Sequence, residues 1–398
     1  MRLLVVTHNW PRFAGDPAGA FVARLAAAAH ARGTDVTVLT PHVPRAATRS
    51  PGMVDADGVR VVRFRYAPER LERVGYTGSV AGLTLRRAAP AVALLPPYLF
   101  RFRGALRRLA RDLRPDVIHA HWWLPSGWLA SGTRTPWLVT CHGSDVRLLE
   151  RSALARALAR RVLRRAAAVT TVSRFLADDL RSRVGAWLEP VVTPMPVDVA
   201  LFSGGRTVPK ADPPRILYAG NLVPAKGVDV LVRAVAGLGE RGIPCELKIL
   251  GEGPALPALR DLAGRLRLER RVTWSPFVPQ ARMPAEYGAA TVTVLPSRGN
   301  AEGLGLTLVE ALLAGSAVVG TPAGGIPEVI NHERTGLLAR DGDAGDLADQ
   351  LARLLGDAPL RRALTEAGRA QALETHAPEA ALGRFWRLYD DLARRPPR

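Results

Sequence analysis

Cysteine, lysine and long apolar runs are scarce in this sequence, and each scarcity excludes something. The two cysteines, Cys141 and Cys245, stand far apart and supply neither a disulfide framework nor a zinc-ligand spacing. No uninterrupted apolar stretch reaches the roughly 20 residues that a membrane-spanning helix needs. The opening MRLLVVTHNW is a short strand pattern that runs into Pro11 without a long apolar core, so no export signal is read there and a cytoplasmic location is expected. Acidic residues are sparse in the first half: of 36 in the chain only 14 precede residue 201, against 30 of the 55 lysines and arginines. The net charge of +19 is therefore carried mostly by that half. Such a field favours an anionic lipid surface, a phosphorylated acceptor or nucleic acid, although genome bias also produces arginine-rich chains. Lys210, Lys226 and Lys248 are the only lysines, so a lysine in a loop stands out.

At 398 residues the chain is long for a single core, and two or three domains are expected. Short β-rich runs (RLLVVTH, TDVTVLT, VRVVRFRY, PDVIHAH, PWLVTCH, AAVTTVS) alternate with helical segments such as Ala18 to Arg32 and Ser152 to Ala167. A second series (RILYAG, ELKILG, RVTWSPF, TVTVLPS, SAVVGT, TGLLAR) opens after the Gly/Pro-rich stretch Ser203 to Pro214. This order predicts an α/β fold of two doubly wound, Rossmann-like parallel-sheet domains. The first is placed at 1–200, joined by a C-terminal amphipathic helix at about 379–398, and the second at 205–378. In such sheets ligands bind beyond the C-terminal ends of the strands, and those ends can face each other across a cleft.

The segment NAEGLGLTLVEALLAGS, 300–316, follows the strand run TVTVLPS and leads into a helix closed by Gly315. Glu302 lies in its glycine turn and Glu310 inside its helix. Unpaired N–H groups at a helix start make an anion cradle, and glycine lets a ligand approach the backbone. Two carboxylates around such a cradle suit a ligand with hydroxyls at both ends and an anion between, the layout of a nucleotide-sugar. The plain alternative is a solvated helix face beside an ordinary turn. YAGNLVPAKGVD, Tyr218 to Asp229, places Lys226 and Gly227 at the start of another helix, where an ammonium can pair with phosphate as a point charge.

These motifs, with ILGEGP, PFVP, PSRGNAEGLGLTLVEALLAGSAVVGTPAGGIPEVI and TGLLA, occur in order over Arg215 to Arg340 and resemble the donor half of the family-4 retaining glycosyltransferases of GT-B fold. The first half matches more loosely, through NWPRFAGDPAGAFV, DVIHAH and TCHGSDV. The resemblance implies a hexosyltransferase of the bacterial polysaccharide or cell-wall type that moves a hexose from a UDP- or GDP-linked donor to an acceptor hydroxyl. The basic first half favours a glycan or lipid-linked acceptor and a cytoplasmic enzyme peripheral on the inner face of a membrane. The resemblance also implies that Glu302 meets the hexose hydroxyls and Glu310 the ribose. Lys226 would hold the diphosphate with Asn221, Gly19 and the backbone of Gly303, Leu304, Gly305 and Leu306. Phe277 and Val278 would flank the base, and His142 would approach the transferred sugar. Gly15, Asp16, His121, Trp122 and Asp145 would lie on the acceptor side. Many members carry arginine where this chain has Asn221.

Other signals are weaker. DAD, Asp55 to Asp57, and DGD, Asp341 to Asp343, match a three-residue metal motif of low specificity, and His119 with His121 lacks a third ligand nearby in sequence. No metal and no cofactor are expected. Arg86 to Arg103 and the basic helix from Arg151 could lie on an anionic surface or simply cover the first sheet. A GT-B epimerase or phosphorylase would share the donor pocket, and a nucleic-acid-binding protein would explain the charge but not the glutamate pair, so no nucleic acid is expected. A dehydrogenase is disfavoured because neither domain opens with a Gly-X-Gly-X-X-Gly turn.

Overall fold

The computed structural model describes residues 1–394 apart from 14, 17, 44–52, 55–57, 73, 75–91 and 277. Phe277, the Asp55 to Asp57 motif and the first part of the Arg86 to Arg103 segment lie outside the described residues. The chain forms two compact units, Met1–Pro196 with the C-terminal segment from Pro378, and Val197–Ala377.

The first unit is built on β1 (Arg2–Val6), β2 (Asp35–Pro41), β3 (Met53–Val54), β4 (Arg60–Phe64), β5 (Val117–His121), β6 (Trp137–Cys141), β7 (Ala168–Thr171) and β8 (Val191–Val192). Among the described residues they form one sheet in the order β3-β4-β2-β1-β5-β6-β7-β8, parallel except for β3 against β4. Burial on both faces explains why β1, β5 and β6 read as near-continuous apolar runs rather than alternating ones. Helix Leu95–Leu113 buries Tyr98, Phe102 and Leu106, and Phe102 stacks on Phe64 of β4 at 4.5 Å between ring centroids. The C-terminal helix Pro378–Ala393 packs back on this unit, against helix Ala20–Ala31 and β5, burying Leu382, Phe385 and Tyr389.

The second unit holds β9 (Arg215–Ala219), β10 (Glu246–Leu250), β11 (Val272–Ser275), β12 (Val292–Leu295), β13 (Ala317–Gly320) and β14 (Leu337–Leu338) in the order β11-β10-β9-β12-β13-β14. All its pairings are parallel. Helices Val228–Glu240 and Ala344–Gly356 pack together on it. Asp343 caps the second of these by accepting the Asp346 N–H at 2.9 Å, and Asp341 accepts the Gly299 N–H at 2.8 Å. The DGD stretch is thus occupied in closing turns.

Both sheets begin in their middle and grow first to one side, then to the other. The order in which strands are added reverses between β1 and β5 in one unit and between β9 and β12 in the other. These are the topological switch points, where the loops leaving adjacent strands splay apart and open a crevice.

Candidate active site

In the second unit, the loop after β9 carries Lys226 and the loop after β12 carries Glu302, one on each side of the switch point. Although 76 positions apart, the Lys226 ammonium and Glu302 Oε1 are paired. Local sequence explains the approach. Gly227 has φ 64°, and a Cβ there would stand 1.9 Å from the Pro296 carbonyl oxygen, so only glycine lets the Lys226 turn reach the backbone after β12. The Arg298 N–H donates to Ala225 O at 2.9 Å, and the Arg298 guanidinium pairs with Asp229 at 2.8 Å, which ties the two loops together.

Glu302 is largely buried, and Ser297 Oγ donates to the same Oε1 at 2.7 Å. Ser297 is itself fixed by Thr321 of the loop after β13, whose hydroxyl donates to the Ser297 carbonyl. Both side-chain donors fall on Oε1. Among the described residues no donor falls on Oε2, and a carboxylate oxygen so placed can accept from hydroxyl donors. Burial, and next the Glu302 charge, push the Tyr218 phenol upward, and its hydroxyl donates to Asn221 O at 2.9 Å. Asn221 itself is exposed at the mouth of the loop. Leu304 and Gly305 are buried beneath the turn, with Gly303 and Leu306 half-buried. Gly305, φ 97°, opens helix Leu306–Leu313, and on that helix Glu310 Oε2 accepts from the buried Tyr287 hydroxyl at 3.1 Å. Val278, half-buried, follows β11 on the same edge of the sheet.

In the first unit, the switch point gathers imidazoles. His8 follows β1, His119 and His121 are on β5, and His142 follows β6. His121 Nδ1 and His142 Nε2 are 3.0 Å apart, and the His119 and His121 rings lie 4.1 Å apart. The Val139 carbonyl can only accept, which orients the hydroxyl chain that ends on it. Thr170 donates to Val139 O, Thr140 to Thr170 and the His119 Nε2–H to Thr140 at 2.7 Å, and the Tyr389 hydroxyl lies 2.8 Å from His119 Nδ1. Burial lowers the His8 pKa to about 4 and, with the neighbouring His142, that of His119 to about 3; burial followed by neighbouring histidines also holds His121 and His142 well below the ordinary value.

Several expected acceptor residues are spent on holding loops. The buried Asp145 carboxylate accepts the N–H groups of Trp123, His142 and Gly143 at 3.0 to 3.1 Å. Burial raises its pKa against the pull of those bonds. Asp16 is also buried; burial alone would raise its pKa, but Arg12 (Nε at 2.5 Å, Nη2 at 2.9 Å) and the Ala18 N–H outweigh it and hold it low. Gly15, φ 83°, shapes the same loop, and Gly19 ends it where a Cβ would stand 2.4 Å from Asn9 O. His121 is fully buried against His142 and Trp122, and both aspartates are buried and bonded within the protein. His8, Tyr218, Tyr287, Ser297 and Thr321 lie at the two switch points or hold side chains there, and were not singled out from sequence. His8, Ser297 and Thr321 had a signal, their place just past strand ends, and Tyr218 opens the motif YAGNLVPAKGVD.

The pattern of Glycosyltransferase Family 4 matches residues 18–201, and that of Glycosyl transferases group 1 matches residues 205–371. A D-inositol 3-phosphate glycosyltransferase of Nocardia farcinica is 30% identical over 374 residues, covering 81% of this chain and 82% of the relative. The chain belongs to the family-4 glycosyltransferases. An N-acetyl-alpha-D-glucosaminyl L-malate synthase of Bacillus anthracis is 28% identical, with 75% and 81% of the two chains covered. Among solved structures, a sucrose-phosphate synthase from Thermosynechococcus elongatus superposes with TM-score 0.79 at 23% identity over 98% of this chain and 99% of its own. Anabaena HepE in complex with UDP-glucose does so with TM-score 0.75 at 18% identity over 98% and 100%. These two establish the GT-B fold. The enzyme is thus a hexosyltransferase of GT-B type that uses nucleotide-sugar donors.

Proposed function

We propose that this glycosyltransferase binds a UDP- or GDP-linked hexose on the second unit and transfers it, with retention of configuration, to a hydroxyl of a glycan or lipid-linked acceptor bound by the first. The observation that carries the reading is the Lys226–Glu302 pair at the switch point, with Oε2 left to accept. Lys226 and the start of helix Leu306–Leu313 face the diphosphate, where charge develops as it departs; preorganised donors of this kind are worth about 10²- to 10³-fold in rate. Glu302 takes hexose hydroxyls, Glu310 takes the ribose, and Val278 flanks the base. The sugar–phosphate C–O bond breaks, the acceptor oxygen bonds to the same face of that carbon, and the acceptor proton passes to the leaving phosphate oxygen. No metal takes part. The test is product analysis by NMR with UDP-glucose, UDP-N-acetylglucosamine and GDP-mannose: retained anomeric configuration supports the reading, and an inverted product refutes it.

The first unit's surface supports a peripheral place on an anionic membrane, on the cytoplasmic face. Helix Leu95–Leu113 exposes Phe100 (76%) together with Arg101, Arg103, Arg107, Arg108 and Arg111. Among the described residues no helix is long and apolar enough to cross a bilayer. Apolar and cationic groups on one helix suit the interfacial plane. Sedimentation with phosphatidylglycerol vesicles at low salt is expected, and a protein that stays in the supernatant refutes this placement.

A further inference from the structure

Glu302 sits against the same ammonium that the reading above assigns to the diphosphate, and this has a consequence for which nucleotide the pocket prefers. A phosphate that takes Lys226 does so beside a carboxylate whose Oε1 is pinned by Ser297 and, through the Ser297 carbonyl, by Thr321. The loop is further fixed by the Gly325 N–H, which donates to Glu302 O at 3.2 Å, and by Gly324, where any Cβ would stand 2.0 Å from that oxygen. The carboxylate therefore has little room to withdraw.

An intact sugar nucleotide and a spent nucleoside diphosphate meet it differently. In the intact donor the terminal phosphate is esterified, and the hexose offers hydroxyl protons to Glu302 Oε2. In the spent product the hexose is gone, and the terminal phosphate carries a further ionisation with pKa about 6. Its added negative charge then faces the carboxylate with no hydroxyl donor between them, and like charges at close range oppose binding.

We propose that Glu302 is a specificity residue that favours the intact sugar nucleotide over the free diphosphate, so that the pocket expels its own product. The proposal rests on the donor reading above. It assigns Glu302 a role in product release, separate from any contact it makes during transfer.

The experiment is calorimetric titration of the whole chain with UDP, GDP, UDP-glucose and GDP-mannose, for wild type, Glu302→Gln and Glu302→Ala. Both variants bind the free diphosphate about tenfold tighter than wild type and bind the sugar nucleotide no tighter. Product inhibition of transfer strengthens in parallel. Diphosphate affinity that is unchanged or weaker in the variants overturns the proposal. A measurement on wild type alone guards against variants that fail to fold. A nucleoside diphosphate capped as its terminal methyl ester lacks both the hexose and the added charge, and binds wild type tighter than the uncapped diphosphate; equal or weaker binding overturns the proposal. A wild-type protein that binds none of these compounds overturns the donor reading itself, and the proposal with it.

Discussion

Gly324 offers a quantitative test of how the site is held. It has φ +57°, and a Cβ there would lie 2.0 Å from Glu302 O, whereas such contacts essentially never fall under 3.0 Å. In Gly324→Ala the loop must therefore yield by about 1 Å. Two costs add. A left-handed conformation costs a non-glycine residue about 1–2 kcal/mol, and forced overpacking about 1–3 kcal/mol. For a unit of this size each kcal/mol is about 2–4 °C in Tm, so a loss near 10 °C is expected. A misplacement of about 1 Å costs on the order of 10²-fold in rate. Gly342 is the control: its φ is +74°, but a Cβ there meets nothing within 4 Å. Gly342→Ala bears the conformational strain without the collision. Thermal unfolding and kcat/KM are measured on both. Gly324→Ala should lose transfer activity about a hundredfold while Gly342→Ala keeps it, and equal activity in the two would refute the reasoning.

The buried imidazoles make the first unit acid-sensitive. His8 and His119 have folded pKa values of about 4 and about 3 against an ordinary 6.5, so protons bind the unfolded chain first and stability is lost as pH falls through 6.5. By linkage each contributes a loss on the order of 1 kcal/mol at pH 5.5. Urea midpoints at pH 7.5 and 5.5 check this, and identical midpoints would contradict it. Tyr287→Phe removes the hydroxyl that orients Glu310, and is expected to weaken nucleotide binding several-fold with little change in Tm; unaltered affinity by titration would remove Glu310 from the ribose site. Treatment with EDTA is expected to leave initial transfer rates unchanged, and a loss restored by magnesium or manganese would overturn the metal-free reading.

The two parallel sheets were legible because doubly buried strands need continuous β-branched runs, as in VTVL of β12 and AVVG of β13. The two-residue strands β3, β8 and β14 are too short to show any period, and β3 turns antiparallel at an edge where no pattern marks it. The helix expected from Ala18 starts at Ala20, because Gly19 is left-handed and is tied to the loop before it. Lys226 and Glu302 could be found because turn glycines beside a helix start mark them. Ser297, Thr321 and Tyr218 could not be assigned roles, since a hydroxyl acquires its function from the neighbour it reaches. Asp16 and Asp145 were legible as positions but not as buried anchors, because sequence spacing does not say which way a carboxylate points.

Lys226 and Glu302 are proposed to form the donor site. Thermal unfolding of wild type and Lys226→Ala against UDP, GDP, ADP and their hexose conjugates tests this most directly. A ligand at a hundred times its dissociation constant stabilises by about 2.7 kcal/mol. A shift of several degrees is expected in wild type with the nucleotides of one base, largely lost in Lys226→Ala. No shift with any nucleotide, or an equal shift in both proteins, would contradict it.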